Sequence, residues 1–177
     1  MKILIPLADG FQEIEAITII DVLRSAGIEV DTVSLMGSVV TGGHGVKIMA
    51  DKKISDIEIE KYDGIVLPGG SQGVANLAKS SQLKEFLGKM NEKEKLIAAI
   101  CAAPMLLSRY HLLDKRRATI YPGMERELPY PRDEKVVVDG NIITSQAPGT
   151  SMEFALAIVE KLLGEEKVLE LKEQLVV

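Results

Sequence analysis

Cysteine and histidine, the residues that build disulfides and zinc sites, are scarce in this sequence. It has one cysteine, Cys101, and two histidines, His44 and His111, which lie far apart. A lone cysteine cannot form an internal disulfide, which favours a reducing compartment, so we expect a cytoplasmic protein. A zinc site built from cysteine and histidine is not expected either.

Excess basic charge and long apolar runs are also missing. The chain has 21 Lys and Arg against 26 Asp and Glu, a net charge of −5, so nucleic acid and anionic membranes are not expected partners. No apolar run reaches the roughly 18 residues that a membrane-spanning helix needs. The composition is that of a globular protein, 46% hydrophobic in 177 residues, which predicts a single domain over residues 1–177.

The start of the chain predicts a strand, a helix and a second strand. KILIPL is a short apolar run that ends in a turn at Ala8–Gly10. Apolar residues then recur at helical spacing before a capping Gly27, namely Ile14, Ile17, Val22 and Leu23. IEVDTVSL alternates apolar and polar residues, as strands do. A βαβ unit of this kind belongs to a parallel sheet.

The remaining patterns extend this unit into an α/β sandwich. They predict glycine-turned and Asp-Gly-turned hairpins at SVVTGGHGVKIMAD and KVVVDGNIITS, strands at KYDGIVLPGG and LIAAIC, a helix directly behind Cys101, and helices at Val74–Leu77, Leu83–Met90, Thr150–Leu163 and Glu165–Leu175. The segment Ala118–Arg132 gives no clear pattern. We predict an α/β fold with a mostly parallel central sheet. The ligand site is expected beyond the carboxyl ends of its strands, at Ala8–Gly10, Pro68–Gly70, Cys101 and Ser145–Gly149.

Cys101 stands between an apolar strand, Leu96–Ile100, and a helix. The motif A-I-C-A-A supplies the small neighbours that a nucleophile elbow needs, because the backbone folds back on itself there. Unpaired N–H groups at the helix start favour thiolate, so we expect a lowered thiol pKa unless an ionised Glu15 opposes it. The amide of Ala102 would face an oxyanion formed there. The alternative is a buried cysteine that serves only as a small hydrophobe.

Two carboxylates and a glycine cluster are further candidates. Glu13 and Glu15 open the first helix, where most acids only complement the helix dipole. A half-buried carboxyl beside Cys101 would instead have a raised pKa and carry protons. LPGGSQG lacks the spacing of a phosphate-binding loop. Its glycines would let the backbone approach a ligand and supply a second oxyanion donor.

Five motifs in register resemble the ThiJ/PfpI superfamily, in its DJ-one branch. They are ADGFQEIEA at Ala8–Ala16, LPGG at Leu67–Gly70, AAICAAP at Ala98–Pro104, TSQAPGT at Thr144–Thr150 and FALAIVE at Phe154–Glu160. The resemblance covers nearly the whole chain. It implies a flavodoxin-like three-layer sandwich, a cysteine nucleophile elbow and a homodimer.

The resemblance also implies roles for particular residues. Cys101 would be an oxidisable, reactive cysteine, and Glu15 the acid that hydrogen-bonds its sulfur. The backbone amides of Gly70 and Ala102 would form the oxyanion pocket. The other candidates for substrate binding are Gly69, Tyr121, Pro148 and His44. In a dimer His44 could reach the partner subunit's site, and its alternative is an exposed turn residue. His111 ends the elbow helix, where a histidine suits the helix dipole.

This chain departs from three patterns of the superfamily. Relatives with a catalytic histidine downstream of the cysteine have it where this chain has Tyr121, and a phenol is a poor base at neutral pH. The proteases carry histidine directly after the cysteine, where this chain has Ala102. The amidotransferases need a late His-x-Glu, which is absent. Glu15 would therefore have to make both proton transfers.

The favoured function is a cofactor-free glyoxalase or deglycase that acts on methylglyoxal-like oxoaldehydes or their early adducts. Cys101 would add to the aldehyde, Glu15 would move a proton between carbons, and water would hydrolyse the resulting thioester. The alternative is a redox-sensing or chaperone protein whose Cys101 is oxidised to sulfinic acid. An intracellular protease is the least favoured. The first two hypotheses use the same residues, so the sequence does not separate them.

Overall fold

A seven-stranded sheet forms the centre of the fold in the computed structural model, which describes residues 1–177. The nine strands of the chain are β1 (Lys2–Leu7), β2 (Glu29–Ser34), β3 (Val39–Thr41), β4 (Lys47–Met49), β5 (Lys52–Lys53), β6 (Gly64–Leu67), β7 (Leu96–Ile100), β8 (Val136–Asp139) and β9 (Ile142–Ser145). The sheet order is β5-β2-β1-β6-β7-β9-β8, and only β8 and β9 pair antiparallel within it. Strands β3 and β4 form a separate hairpin.

Six helices cover the two faces of this sheet. They are α1 (Glu13–Ser25), α2 (Ser71–Leu77), α3 (Ser81–Glu92), α4 (Pro104–Arg109), α5 (Ser151–Leu163) and α6 (Glu165–Leu175). Helices α1, α5 and α6 bury one apolar cluster against the sheet, and α2, α3 and α4 bury a second cluster on the other face. Ile3 and Ile5 of β1 point into the first cluster and Leu4 into the second, as the period of a strand requires. The predicted three-layer sandwich is confirmed. None of the helices is long and apolar enough to cross a membrane.

Strand β2 is present as predicted, but the alternation of apolar and polar residues along it does not mean that its polar face is exposed to solvent. Asp31 is buried in it, and accepts hydrogen bonds from Tyr62 Oη at 2.6 Å and Lys52 Nζ at 2.8 Å. Burial acts to raise the pKa of this carboxyl, but the donors, with Lys2 Nζ at 3.1 Å, hold that pKa at about 2. The charge is therefore kept inside the fold because it is fully paired.

Helix α1 ends before Gly27 as predicted, and of its predicted apolar face Val22 and Leu23 are buried while two isoleucines are not. Ile14 and Ile17 are 58% and 46% exposed. The face packed on the sheet and on α5 instead uses residues three to four positions apart, namely Ala16, Ile19, Ile20 and Leu23. This spacing forms one continuous stripe on a helix, and the two exposed isoleucines lie outside it.

Candidate functional site

The four strand ends chosen from the sequence meet at one edge of the sheet. Strands β1, β6, β7 and β9 are consecutive neighbours in it and are all parallel, so their carboxyl ends lie side by side. The N–H of Cys101, directly after β7, donates to the carbonyl of Ser145 at the end of β9, at 3.0 Å. The N–H of Gln12, beyond β1, donates to the carbonyl of Gly69, beyond β6, also at 3.0 Å.

Cys101 lies at a sharp turn between β7 and α4. Its φ of +64° is in the left-handed region, which is uncommon outside glycine. The N–H of Ala103 donates to the carbonyl of Ile100 at 3.0 Å and closes the turn. The site also needs glycine at position 69, because an added Cβ would lie 2.6 Å from both Cys101 Cβ and Glu15 Oε2. Cys101 and Glu15 therefore both lie against Gly69.

Glu15 is completely buried beside this turn. Its Oε2 accepts a hydrogen bond from the N–H of Gly69 at 2.7 Å, while Oε1 is buried without a well-formed hydrogen bond. Burial raises its pKa to about 7, although the Gly69 amide and the Cys101 thiol both favour the carboxylate. At neutral pH this group is therefore able both to accept and to donate a proton.

The thiol of Cys101 does not have the lowered pKa expected from its position. Burial and the charge of Glu15 raise the pKa to about 12, against the amides of Gly70 and Ala102, which favour the thiolate. The start of α4 does not lower the thiol pKa, because the thiol is shielded from water and lies beside the Glu15 carboxylate. The stated exception, an ionised Glu15 that opposes the thiolate, is the arrangement found.

The two groups form an acid–base pair rather than a free thiolate. When Glu15 takes up the thiol proton, it loses the negative charge that opposes the thiolate, so the two protonation equilibria are coupled. A carboxylate that removes the proton during attack activates a cysteine without a low thiol pKa. The backbone N–H groups of Gly70 and Ala102 hydrogen-bond the sulfur of Cys101. An oxyanion on a carbon attached to that sulfur would also be within their reach.

Tyr121 and Pro148 lie near this pair with different contacts. The N–H of Tyr121 donates to the carbonyl of Cys101 at 3.0 Å, which brings the segment Ala118–Arg132 against the elbow. The Tyr121 side chain is 46% exposed, and its hydroxyl has no hydrogen bond within the chain. Pro148 begins the 3₁₀ turn after β9, and its carbonyl accepts a hydrogen bond from Ser151 Oγ at 2.8 Å. Their contact with a substrate stays a prediction.

His44 contacts Glu13 rather than Cys101. Its Nδ1 lies 2.9 Å from Glu13 Oε2, and its backbone N–H donates to Glu13 Oε1 at 2.5 Å. Burial acts to raise the pKa of Glu13, but the imidazole and the backbone N–H of His44 lower it overall. Reach of His44 to a partner subunit stays a prediction. His111 follows α4, with Nδ1 3.2 Å from Asp114 Oδ2.

Sequence reasoning missed two residues around the site. Gln12 caps α1 by accepting a hydrogen bond from the N–H of Ile14 at 2.7 Å, but glutamine is not among the common capping residues. The sequence pattern predicts only a turn at Gly42, yet a side chain at this position would overlap the carboxyl group of Glu13. The one indication of this contact in the sequence is the glycine pair Gly42–Gly43, because a hairpin turn does not need two consecutive glycines.

Away from Cys101 the structure has a cavity but no cluster of metal-binding side chains. No group of three or more His, Cys, Asp and Glu residues is arranged to hold a metal ion. A cavity of about 530 Å³ lies at the ends of β1 and β2, with Leu7, Val40, Ile54 and Lys79 in its lining, and Cys101 is not part of it.

Comparison with known proteins gives one family and full-length relatives. The DJ-1/PfpI family matches residues 1–161. The chain is 41% identical to Protein dj-1beta of Drosophila melanogaster over 98% of this chain and 96% of that protein. It is 33% identical to a deglycase of Pyrococcus abyssi over 84% and 92%. It is 41% identical to Protein DJ-1 homolog B of Arabidopsis thaliana over 99% of this chain, and spans 41% of that protein's length.

A solved structure agrees with these relatives in fold. Oxidized DJ-1 of Toxoplasma gondii has a TM-score of 0.96 to this chain at 38% sequence identity. The match covers 99% of this chain and 97% of the other. The similarity therefore includes the sheet edge at which Cys101 and Glu15 meet.

Proposed function

The chain belongs to the DJ-1/PfpI family, and from that premise we propose that it is a cysteine-dependent, cofactor-free glyoxalase or deglycase. Its substrates would be methylglyoxal-like oxoaldehydes or their early adducts. The observation that carries the proposal is a buried Glu15, with a pKa of about 7, beside the sulfur of Cys101 and two amide donors. The name of the Pyrococcus abyssi relative supports a deglycase within the family.

The first step forms a carbon–sulfur bond. Cys101 Sγ attacks the aldehyde carbon while its proton passes to Glu15, and the aldehyde oxygen gains negative charge. The N–H groups of Gly70 and Ala102 stabilise that oxygen. Protonated Glu15 then gives its proton to the oxygen, which completes a hemithioacetal and regenerates the carboxylate.

The later steps isomerise and release the product. The Glu15 carboxylate removes the proton from the former aldehyde carbon to give an enediolate and returns it to the neighbouring carbon, while the hydroxyl proton of the former aldehyde carbon passes to the oxygen of that neighbour. The result is a thioester of a 2-hydroxy acid, which water hydrolyses to free acid and thiol. One group makes both transfers because a pKa near the working pH suits both directions.

Lactate formation from methylglyoxal tests this proposal. The wild type and Cys101→Ser are compared in a buffer without amines or thiols, so that no adduct forms with the buffer. We expect steady turnover in the wild type and none in the variant. Absence of lactate from the wild type, with the thiol shown intact by mass spectrometry, would contradict the proposal for the free aldehyde.

A redox-sensing role is the second candidate, because the same groups suit an oxidised sulfur. Peroxide would convert the thiol to sulfenic and then sulfinic acid. The sulfinate oxygens would accept hydrogen bonds from Gly70, Ala102 and protonated Glu15. Mass spectrometry after peroxide treatment should show two added oxygens on Cys101. Glu15→Gln separates the roles, since it should slow turnover far more than oxidation; equal loss of both would reject the proton-shuttle role.

We also propose that the protein is a homodimer in the cytoplasm. The exposed Ile14 and Ile17 on α1 provide an apolar surface that a second subunit would cover. Light scattering during size-exclusion chromatography should give twice the chain mass, and Ile17→Glu should shift it towards the monomer. A monomeric wild type would contradict the assembly without affecting the assignment of Cys101.

A further inference from the structure

The β3–β4 hairpin lies outside the central sheet and rests on the loop before α1. The N–H of Gly10 donates to the carbonyl of Thr41 at 2.8 Å, and the N–H of Gly43 donates to the carbonyl of Phe11 at 2.8 Å. The loop Gly10–Gln12 is therefore bonded to the hairpin on one side. The position of this loop therefore depends on how firmly the hairpin is held against it.

One hydrogen-bonded pair of side chains, Glu13 and His44, joins the hairpin to α1. Glu13 is buried, and both of its carboxylate oxygens face His44, one at the imidazole Nδ1 and one at the backbone N–H. Because the pKa of Glu13 is lowered, the carboxylate is the acceptor, so Nδ1 carries the proton. Gly42 leaves room for the carboxyl group, since an added Cβ would overlap it. No other side-chain hydrogen bond joins these two elements.

The same loop holds the glycines that face the sulfur. On its other side the N–H of Gly73 donates to the carbonyl of Gly10 at 3.1 Å, and the N–H of Gln12 donates to the carbonyl of Gly69. Gly70 packs with its Cα against Gly10 and Gln12. Its amide is one of the two that act on Cys101. A continuous series of contacts thus runs from His44 to the sulfur.

We propose that Glu13 and His44 are positioning residues for the Cys101 site. Their hydrogen bonds hold the hairpin against the loop Gly10–Gln12, and the loop holds the amide of Gly70 against the sulfur. Loss of the pair would free the loop rather than α1, because α1 is anchored separately through its buried face on α5 and the sheet. The inference concerns the same thiol as the proposed function, but it does not depend on which substrate that thiol attacks.

The rate of alkylation by iodoacetamide, measured from pH 7 to 10, tests the inference. In His44→Ala we expect the rate–pH profile to move to higher pH, because an amide that favours thiolate is no longer held in place. Each half unit of displacement slows alkylation about threefold at a fixed pH. His44→Asn should restore the wild-type profile, because its side-chain amide can donate to Glu13.

His111→Asn is the matched control, since His111 is also an exposed histidine paired with an acid. It has positive φ, which asparagine tolerates. This variant should keep the wild-type profile. Gly42→Ala should reproduce the effect of His44→Ala by displacing Glu13, and the double variant should be no worse than either single one. Glu13→Gln is the milder alternative if either variant unfolds.

Superimposable profiles for the wild type and His44→Ala would overturn the inference, as would an equal displacement in His111→Asn. Additive displacements in the double variant would also overturn it, because they would mean that Gly42 and His44 act separately. Alkylation requires no turnover. A wild type that forms no lactate but shows the displaced His44→Ala profile would reject the proposed function and keep the inference.

Discussion

Glu13 and Glu15 are two residues apart in the first turn of α1, and their surroundings are opposite. Consecutive residues of an α-helix turn by about 100°, so these side chains point to nearly opposite sides. Burial acts to raise the pKa of both. Glu13 meets an imidazole and a backbone N–H, and its pKa falls. Glu15 meets one amide and a thiol, and its pKa rises to about 7. The deeper burial of Glu15 and the donors around each acid, not the residue type or its place in the helix, give the two carboxyl groups opposite pKa shifts.

Replacing each acid by glutamine should give the largest difference between them. In the proposed reaction Glu15 moves every proton, so Glu15→Gln should lower lactate formation by about 100-fold or more. Glu13→Gln keeps one acceptor for His44 and should lower kcat by much less, with KM nearly unchanged. Steady-state assays of both variants measure this. Equal losses would mean that the two acids do not differ in role.

The pH dependence should report Glu15 alone. If its carboxylate is the base, kcat/KM rises with pH and levels off above an apparent pKa near 7. We expect Glu13→Gln to keep this inflection. A wild-type profile that is flat from pH 5.5 to 8.5 would remove Glu15 from the proton transfers.

Stability should depend on pH in opposite directions for the two acids. The pKa of Glu15 is raised in the fold, so its contribution is present below the unfolded value of 4.5 and is lost as pH rises through about 7. Glu15→Gln should therefore gain stability relative to the wild type from pH 5 to 8, by up to about 3 kcal/mol. The lowered pKa of Glu13 gives a contribution that is present at neutral pH and lost on acidification.

Urea unfolding at pH 8, at pH 5 and below pH 4.5 checks both directions. Glu13→Gln should lose stability at neutral pH, and its difference from the wild type should shrink as the pH falls below 4.5, the unfolded value. Parallel stability curves for the wild type and Glu15→Gln would show that burial of Glu15 has no energetic consequence.

The smallest effect is expected at Tyr121, which stands where some relatives have a histidine. Its hydroxyl is exposed and has no hydrogen bond within the chain, so Tyr121→Phe should change kcat less than about twofold. A tenfold loss in the lactate assay would mean that the phenol supplies part of the chemistry assigned to Glu15.

The fold and the centre of the site could be predicted because their signals are local. Short apolar runs, Gly27 and the A-I-C-A-A motif each indicate structure within a few residues. The pair of Glu13 and His44 joins residues 31 apart, and nothing near either one indicates the other. The motif indicates the turn at Cys101 but not the burial around the thiol, so the sequence alone left the direction of the shift in the thiol pKa dependent on Glu15. The apolar residues of the segment Ala118–Arg132 show no helical or strand period. Backbone hydrogen bonds outside regular elements hold this segment in place, and these leave no pattern in the side chains.

The backbone at Cys101 has a consequence for the evolution of the whole domain. A non-glycine residue at φ +64° costs on the order of 1 kcal/mol, and glycine would relieve that cost. The chain therefore gives up folding stability at the one position where it keeps a thiol. Selection for stability alone would replace this cysteine, so the proposed function of the thiol and the stability of the fold make opposite demands on a single residue.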